Sequence, residues 1–226
     1  MPREFDTYSK NYNDLLESAV KMTGYDTFHF VTAKLEKLKS SVKDDTSFNF
    51  LDYGCGPGNL CKNFHQYFPK GNYFGVDDSA EMIKKSITLY GGSGSFCETN
   101  SEEWKQRSYH IIFSACVFHH IPHENHKTIL MDLEKLLAPS GEIVLWEHNP
   151  ANPFTRKIVR ECPFDKDAVL IHPDKSISLF TQINLGQIRL SYTTFFPKFL
   201  RFLTPLESLL EWCPLGGQYI LIGKKK

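Results

Sequence analysis

FNFLDYGCGPG, residues 48–58, is the stretch that decides the fold of this chain. A short apolar run ends in Asp52, and three glycines follow within five positions. Between residues 59 and 68, apolar side chains recur every four residues, which predicts one buried helix face. Residues 72–76 form a second strand-like run that stops at Asp77. Strand, glycine turn, helix, strand and acid is the order of a βαβ unit.

The spacing of the glycines indicates the kind of ligand. Glycines are needed where a ligand lies against backbone, because a Cβ atom would block it. A dinucleotide-binding turn has the pattern G-x-G-x-x-G, which requires a third glycine at position 59, but this chain has Asn59 there and its third glycine at Gly58. That difference, and the lack of a Tyr-x-x-x-Lys pair, argue against an NAD(P)-dependent oxidoreductase, which we keep as an alternative.

The pattern D-x-G-x-G-x-G resembles the first motif of the class I S-adenosylmethionine (SAM)-dependent methyltransferases, and Asp77 resembles their second motif. The resemblance continues through residues 113–121 (FSACVFHHI) and 136–144 (LLAPSGEIV), and it covers residues 48–149. It implies an enzyme with SAM as cofactor and S-adenosylhomocysteine (SAH) as product. A non-catalytic SAM-binding protein is a second alternative that the residues leave open.

Strands and helices that alternate along the chain predict an α/β fold. The resemblance implies a Rossmann-like, seven-stranded, mostly parallel sheet with helices on both faces, in which the last two strands form an antiparallel edge. We expect one methyltransferase domain over residues 1–226. Within it we expect a helical cap at 1–45, a SAM-binding core at 46–149, and a substrate-side cap with the last two strands at 150–226.

Local patterns predict several smaller features. Apolar residues from Phe28 to Val42 step by three and four positions, which predicts a helix with Lys34 on its solvent face. A polar loop is expected at residues 43–47. A turn is predicted over residues 138–141, with proline at its second position. A helix over residues 173–184 is expected to stop at Gly186.

The charges of the chain balance. Lys and Arg total 26, and Asp and Glu total 26, so the formal net charge is zero. Broad nucleic-acid binding needs a basic face, so we expect no nucleic-acid partner. The N-terminus lacks the apolar run of a signal peptide, and no apolar stretch approaches the length of a spanning helix. We therefore expect no integral membrane segment and a cytoplasmic location.

The predicted cofactor site lies at the carboxyl ends of the strands, where open α/β sheets bind ligands. Asp77 can accept hydrogen bonds from both ribose hydroxyls, and Asp52 can face the ammonium group of the methionyl part. By resemblance, Glu98 approaches the adenine, and an N-terminal segment with two tyrosines folds over the cofactor. The predicted cofactor-binding residues are Tyr8, Tyr12, Asp52, Gly54, Gly56, Gly58, Asp77, Glu98 and Ser114.

Histidines are the candidates for proton transfer. An oxygen nucleophile or a protonated amine needs a general base, and histidine titrates near neutral pH. His120 follows the fourth strand and His148 follows the fifth, so these two are the predicted catalytic residues. We expect no metal, because Ile121-Pro122 interrupts the histidine-rich run and no H-E-x-x-H motif accompanies it.

The acceptor is expected to be a small molecule methylated on oxygen or nitrogen, with a sugar or a lipid-linked intermediate among the options. By resemblance, residues 1–45 and 150–215 select it. The aromatic segment 195–215 contains Lys198 and Arg201. We expect it to be the buried face of a capping helix, with a weak peripheral membrane contact as the alternative. The sequence does not predict the oligomeric state.

Overall fold

The computed structural model describes residues 4–42 and 46–226. The strands are β1 (Phe48–Tyr53), β2 (Gly71–Asp77), β3 (Ser95–Glu98), β4 (Tyr109–Ala115), β5 (Leu137–His148), β6 (Leu185–Thr193) and β7 (Gln218–Lys225). The α-helices are α1 (Tyr12–Val20), α2 (Thr27–Leu38), α3 (Cys61–Tyr67), α4 (Ala80–Tyr90), α5 (His123–Lys135), α6 (Pro153–Glu161), α7 (Pro173–Gln182) and α8 (Glu207–Leu210). Short 3₁₀ helices occupy Glu4–Tyr8, Lys21–Thr23, Lys39–Ser41, Trp104–Gln106, Phe118–His120, Pro163–Asp165 and Lys198–Leu206.

The seven strands form one sheet in the order β3-β2-β1-β4-β5-β7-β6. The pairs among β1 to β5 are parallel, whereas β7 runs antiparallel to both β5 and β6. The predicted seven-stranded, mostly parallel sheet with an antiparallel edge is confirmed. The strand order reverses between β1 and β4, and the crevice at such a switch point is where open α/β sheets bind ligands.

Both faces of the sheet are buried, as a parallel sheet requires. Successive side chains of a strand point to opposite faces, so Leu51 packs with one core and Phe50 with the other. The first core includes residues of α5 and α7, and the second includes residues of α2 and α3. Each fully buried large apolar side chain contributes roughly 1.5–3 kcal/mol. The predicted helices on both faces are therefore confirmed.

Two local predictions are wrong. Residues 138–141 do not form a separate turn but belong to β5, which pairs with β4 through Leu137 before its register shifts. Pro139 lies at that irregularity, where its missing N–H breaks no regular ladder bond. Helix α7 ends at Gln182, before Gly186. Asn184 takes the left-handed conformation there (φ 66°), which asparagine tolerates better than most residues.

The N-terminal segment is helical, as predicted, in the residues that the structure describes. Asp26 caps α2 by accepting a hydrogen bond from the backbone N–H of His29 at 2.9 Å. Residues 43–45 of the predicted polar loop lie outside the described residues. Among the described residues, no helix has the length and apolar character needed to span a bilayer.

Candidate active site

A cavity of about 940 Å³ lies at the carboxyl ends of the central strands. Its walls come from the sheet on one side, and from α1, α2, α6 and residues 194–199 on the other. Ligand sites in proteins usually measure about 300–1,000 Å³. The cavity is therefore large enough for a cofactor together with a second molecule.

The glycine turn forms part of the cavity wall. Gly54, Gly56 and Gly58 all have left-handed backbone, with φ values of 82°, 53° and 81°. A Cβ atom at Gly54 would lie 2.3 Å from Cγ2 of Val117, and one at Gly58 would lie 2.9 Å from the ring of Tyr90. At Gly56 the space is open, with no atom within 4 Å. Gly54 and Gly56 line the cavity, whereas Gly58 does not and is required for packing against α4.

Asp77 connects the end of β2 to the glycine turn. Its carboxylate accepts the backbone N–H of Gly56 at 2.8 Å and that of Ser79 at 2.9 Å. Burial raises the pKa of Asp77, and these two hydrogen bonds oppose the rise. Each carboxylate oxygen can accept more than one hydrogen bond, so Asp77, which lines the cavity, retains acceptor capacity for a ligand.

Asp52 lies at the end of β1 and is almost fully buried. Burial raises the pKa of its carboxyl group to about 7, although Tyr73 donates a hydrogen bond to it and the charge of Lys34 favours its ionised form. Lys34 lines the same cavity, which corrects its prediction as a solvent-facing residue. Phe30, Val31 and Lys34 lie on one face of α2 because residues four apart are neighbours on a helix.

The two predicted tyrosines occupy different positions. Tyr12 lines the cavity and stacks on Phe164, with ring centroids 5.3 Å apart. Tyr8 is not among the lining residues, and its hydroxyl donates a hydrogen bond to the carbonyl of Pro163 at 3.4 Å. The structure therefore places Tyr12 at the site and Tyr8 in the wall behind it.

Two other predicted residues do not line the cavity. Glu98 pairs with Asp77 across β2 and β3, but the adjacent Thr99 is the residue that lines the cavity. Ser114 is buried in β4, where its Oγ has no hydrogen-bond partner among the described residues, and Ala115 lines the cavity beside it. Neighbouring side chains along an extended chain point in opposite directions, which explains these one-residue offsets.

A buried network of histidines and acids lies beside the cavity. Glu147 accepts the backbone N–H groups of Val117 and Phe118 with one oxygen, at 3.1 and 2.9 Å. Its second oxygen lies 2.6 Å from Nδ1 of His119. Burial alone would lower the pKa of His119, but Glu147 and Asp165 raise it well above its ordinary value. Glu147 thus holds the loop after β4 in place through both backbone and side chain.

His120 is the network residue that lines the cavity next to Asp165. Its Nε2 lies 3.2 Å from Oδ1 of Asp165, and the same oxygen is 3.5 Å from Nε2 of His119. Burial would raise the pKa of Asp165, but hydrogen bonds from His119 and His120 lower it below its ordinary range. His120 is therefore held by an ionised carboxylate.

His148, the second predicted catalytic residue, also lines the cavity. Burial, followed by the charge of His119, lowers its pKa to about 4. An effective general base has a pKa near the working pH. The arrangement therefore favours His120 over His148 for proton transfer.

The sequence-based predictions did not include three residues of the site: Lys34, Glu147 and Asp165. Asp165 lies in a 3₁₀ turn far along the chain from the histidines that it contacts, and no local pattern marked it. His119, His120 and Asp165 could each offer one ligand atom to a metal, because these atoms lie within 4.8 Å of one another. The prediction of no metal was based on the histidine-rich run around Ile121-Pro122 and did not include Asp165.

Comparison with known proteins finds a methyltransferase domain in this chain. Residues 50–141 match a family model described as a methyltransferase domain. Trans-aconitate 2-methyltransferase from Rhodopseudomonas palustris is 27% identical over 60% of this chain and 52% of its own length. A malonyl-[acyl-carrier protein] O-methyltransferase from Ilyobacter polytropus is 30% identical over 53% of this chain and 48% of its own length. This chain thus spans about half the length of these curated relatives.

Solved structures agree with this match at the level of the fold. A methyltransferase from Haloferax volcanii, solved in complex with the Trm112 methyltransferase activator, has a TM-score of 0.70 at 16% identity, covering 99% of this chain and 98% of that one. A SAM-dependent methyltransferase from Archaeoglobus fulgidus has a TM-score of 0.63 at 18% identity, covering 88% and 95%. The family match over residues 50–141 shows a methyltransferase domain in this chain, and together with the shared fold it supports a class I SAM-dependent methyltransferase.

Proposed function

We propose that this protein is an enzyme that transfers the methyl group of SAM to an oxygen or nitrogen atom of a small molecule. The observation that carries the proposal is one cavity in which the glycine turn, Asp52 and Asp77 lie together with the His120–Asp165 pair. When bound, SAM supplies a methyl group on a positively charged sulfur. The protein must hold the acceptor in line with that group and receive the acceptor's proton.

The residues of the cavity suit the chemistry of SAM. The open space beside Gly56 admits a ligand against the backbone. Asp77 can accept hydrogen bonds from the two ribose hydroxyls. The methionyl part of SAM is zwitterionic, so its ammonium group suits Asp52 and its carboxylate suits Lys34.

His120 is the base in this proposal. Because its Nε2 donates a hydrogen bond to Asp165, its Nδ1 remains the nitrogen that can accept a proton. The acceptor's hydroxyl or ammonium group would lose its proton to this nitrogen. Asp165 then stabilises the imidazolium that forms, as a carboxylate beside a histidine does in other enzymes.

The N-terminal segment covers this chemistry. The ring of Phe5 packs edge-on against His120 at 5.0 Å, and Ser79 donates a hydrogen bond to Asp6 at 2.6 Å. Lys85 also donates to the backbone carbonyl of Ser9 at 3.0 Å. These contacts hold the N-terminal segment against the region between the glycine turn and the proposed base.

Two measurements test the proposal. Calorimetry should detect binding of SAM and SAH and no comparable binding of NAD. Labelled SAM should then transfer its methyl group to a component of a metabolite extract. Binding of NAD alone would support the oxidoreductase alternative. Binding of SAM without transfer to any extract would support the non-catalytic alternative.

A further inference from the structure

The segment after β6 exposes large apolar side chains that a folded protein normally buries. Phe199 is 79% exposed and Trp212 is 77% exposed. From Phe202 to Leu209 exposed apolar residues recur every three or four positions along the 3₁₀ and α-helical turns, so they share one side of the segment. Phe199 lies in the first turn of the 3₁₀ segment, before this run, and Trp212 and Leu215 follow it. We define this aromatic face by Phe199, Phe202, Leu206, Leu209, Trp212 and Leu215. The helices of this segment contain no buried residue, so the prediction that the segment is the buried face of a capping helix is wrong for the aromatic face.

The charges around the aromatic face are unequal. Glu207 is turned inward and accepts backbone N–H groups of Thr194 and Phe195 at 3.1 and 3.2 Å, while Glu211 pairs with Lys37 of α2. Lys198 and Arg201 are exposed. The acids of the segment thus stabilise its attachment to the protein, and basic groups remain beside the aromatic face.

The aromatic face is continuous with the mouth of the cavity. A shallow surface groove is lined by Lys21, Met22, Thr23, Lys198, Phe199 and Arg201. Met22, Thr23 and Phe199 also line the large cavity. Gly24 lies under Lys198, since a Cβ atom there would be 3.0 Å from the Cβ of that lysine. One surface therefore carries exposed aromatic groups, basic groups and the cavity entrance.

The part of the cavity beyond the glycine turn is mainly apolar. Side chains from α1, α2, α6 and the loop after β6 line it: Leu16, Val20, Phe30, Phe154, Ile158, Phe195 and Phe196. A sugar or another fully polar acceptor would lose hydrogen bonds to water against such a wall. An acceptor with a long apolar portion would instead bury that portion there.

We infer that the aromatic face binds an anionic lipid surface, and that the acceptor is an amphiphile that enters the cavity from this surface past Phe199. The identity of the acceptor rests on the proposed methyl transfer, whereas binding to a lipid surface does not. Aromatic side chains flanked by Lys and Arg are typical of interfacial segments. A second copy of the chain would bring like charges together across this face, whereas anionic headgroups complement them.

Sedimentation with vesicles tests the lipid surface. The protein should bind phosphatidylcholine vesicles that contain phosphatidylglycerol, bind pure phosphatidylcholine vesicles less, and be released by salt. Phe199→Ser with Trp212→Ser should weaken this binding by roughly tenfold, because interfacial binding scales with buried apolar area. Lys198→Ala with Arg201→Ala should remove the preference for phosphatidylglycerol. Leu89→Ser, at an exposed apolar position on α4, is the matched control and should bind as the original chain does.

Three results would overturn the lipid surface. The first is that the protein binds neither kind of vesicle, and the second is that the Phe199→Ser, Trp212→Ser variant binds as well as the original chain. The third is that light scattering shows a dimer of the original chain that this variant does not form, which would assign the face to a second copy. Labelled SAM offered with a membrane extract tests the acceptor, and the label should enter material soluble in organic solvent. Label confined to water-soluble products would refute the amphiphile while leaving methyl transfer intact. Failure to bind SAM would refute the proposed function and leave the vesicle result standing.

Discussion

At the scale of single residues, the charge of Asp52 should make cofactor binding depend on pH. Burial raises the pKa of Asp52 to about 7, so the carboxyl is neutral below that pH and ionised above it. Only the ionised form attracts the ammonium group of SAM. We expect the affinity for SAM to rise several-fold between about pH 6 and about pH 8.

Calorimetry across this range checks the prediction. In Asp52→Asn the rise should disappear and the affinity should be low throughout. Asp132→Asn, which removes an exposed acid paired with Lys135, should keep the original profile. If the affinity for SAM still rose with pH in Asp52→Asn, a group other than Asp52 would be responsible for the rise.

His120 should carry the proton transfer. His120→Ala should lower kcat by about 10²- to 10⁴-fold, the usual contribution of a general base, while the affinity for SAM stays close to that of the original chain. His148→Ala should cost less, because its pKa of about 4 makes it a poor base. Turnover with labelled SAM, measured beside calorimetry, checks both. If His120→Ala retained full turnover, the base would have to be another group.

A substitution of Asp165 tests whether this carboxylate supports His120 or is a metal ligand. Asp165→Asn keeps a side chain that can contact His120 but removes the charge that stabilises imidazolium. We expect kcat to fall, since the imidazolium that forms on His120 would no longer face a negative charge. Turnover should be insensitive to a chelator. Loss of turnover on chelation, restored by a divalent cation, would show that His119, His120 and Asp165 hold a metal.

At the scale of elements, the glycine turn combines two requirements that mutations can separate. Gly58→Ala combines left-handed backbone with a contact 2.9 Å from Tyr90, so it should destabilise the fold by about 2–4 kcal/mol. Gly56→Ala meets no atom within 4 Å, so it should cost only about 1–2 kcal/mol but place a methyl group where the ligand lies. Thermal unfolding should rank Gly58→Ala as the less stable, and calorimetry should show the loss of SAM affinity in Gly56→Ala. If Gly56→Ala were the less stable variant and Gly58→Ala the one that lost SAM affinity, Gly56 would be the packing residue and Gly58 the ligand-contacting one.

At the scale of the whole molecule, what the sequence predicted depends on how far apart the contributing residues lie. The βαβ unit was predictable because its strands, glycine turn and acid follow one another directly in the sequence, within residues 48–77. The Asp165–His120 pair was not, because the fold brings it together from separate segments. Lys34 was misplaced because its helix has a polar side that faces a cavity instead of solvent, and periodicity does not distinguish the two.

The N-terminal segment gives a last prediction at this scale, because it touches the rest of the molecule at the cavity. Tyr12 stacks on Phe164, Phe5 packs against His120, and Asp6 accepts from Ser79. A ligand in the cavity would add contacts beneath these residues, and binding to the folded state alone stabilises it by about 2.7 kcal/mol at a hundredfold excess over Kd. We expect SAH to slow hydrogen exchange in residues 4–20 as well as in the glycine turn, while α7, which contributes no residue to the lining of the cavity, changes little. Tyr12→Ala should reduce the protection of residues 4–20 and leave that of the turn. Protection confined to the turn in the original chain would mean that the N-terminal segment is a fixed wall whose order owes nothing to the cofactor.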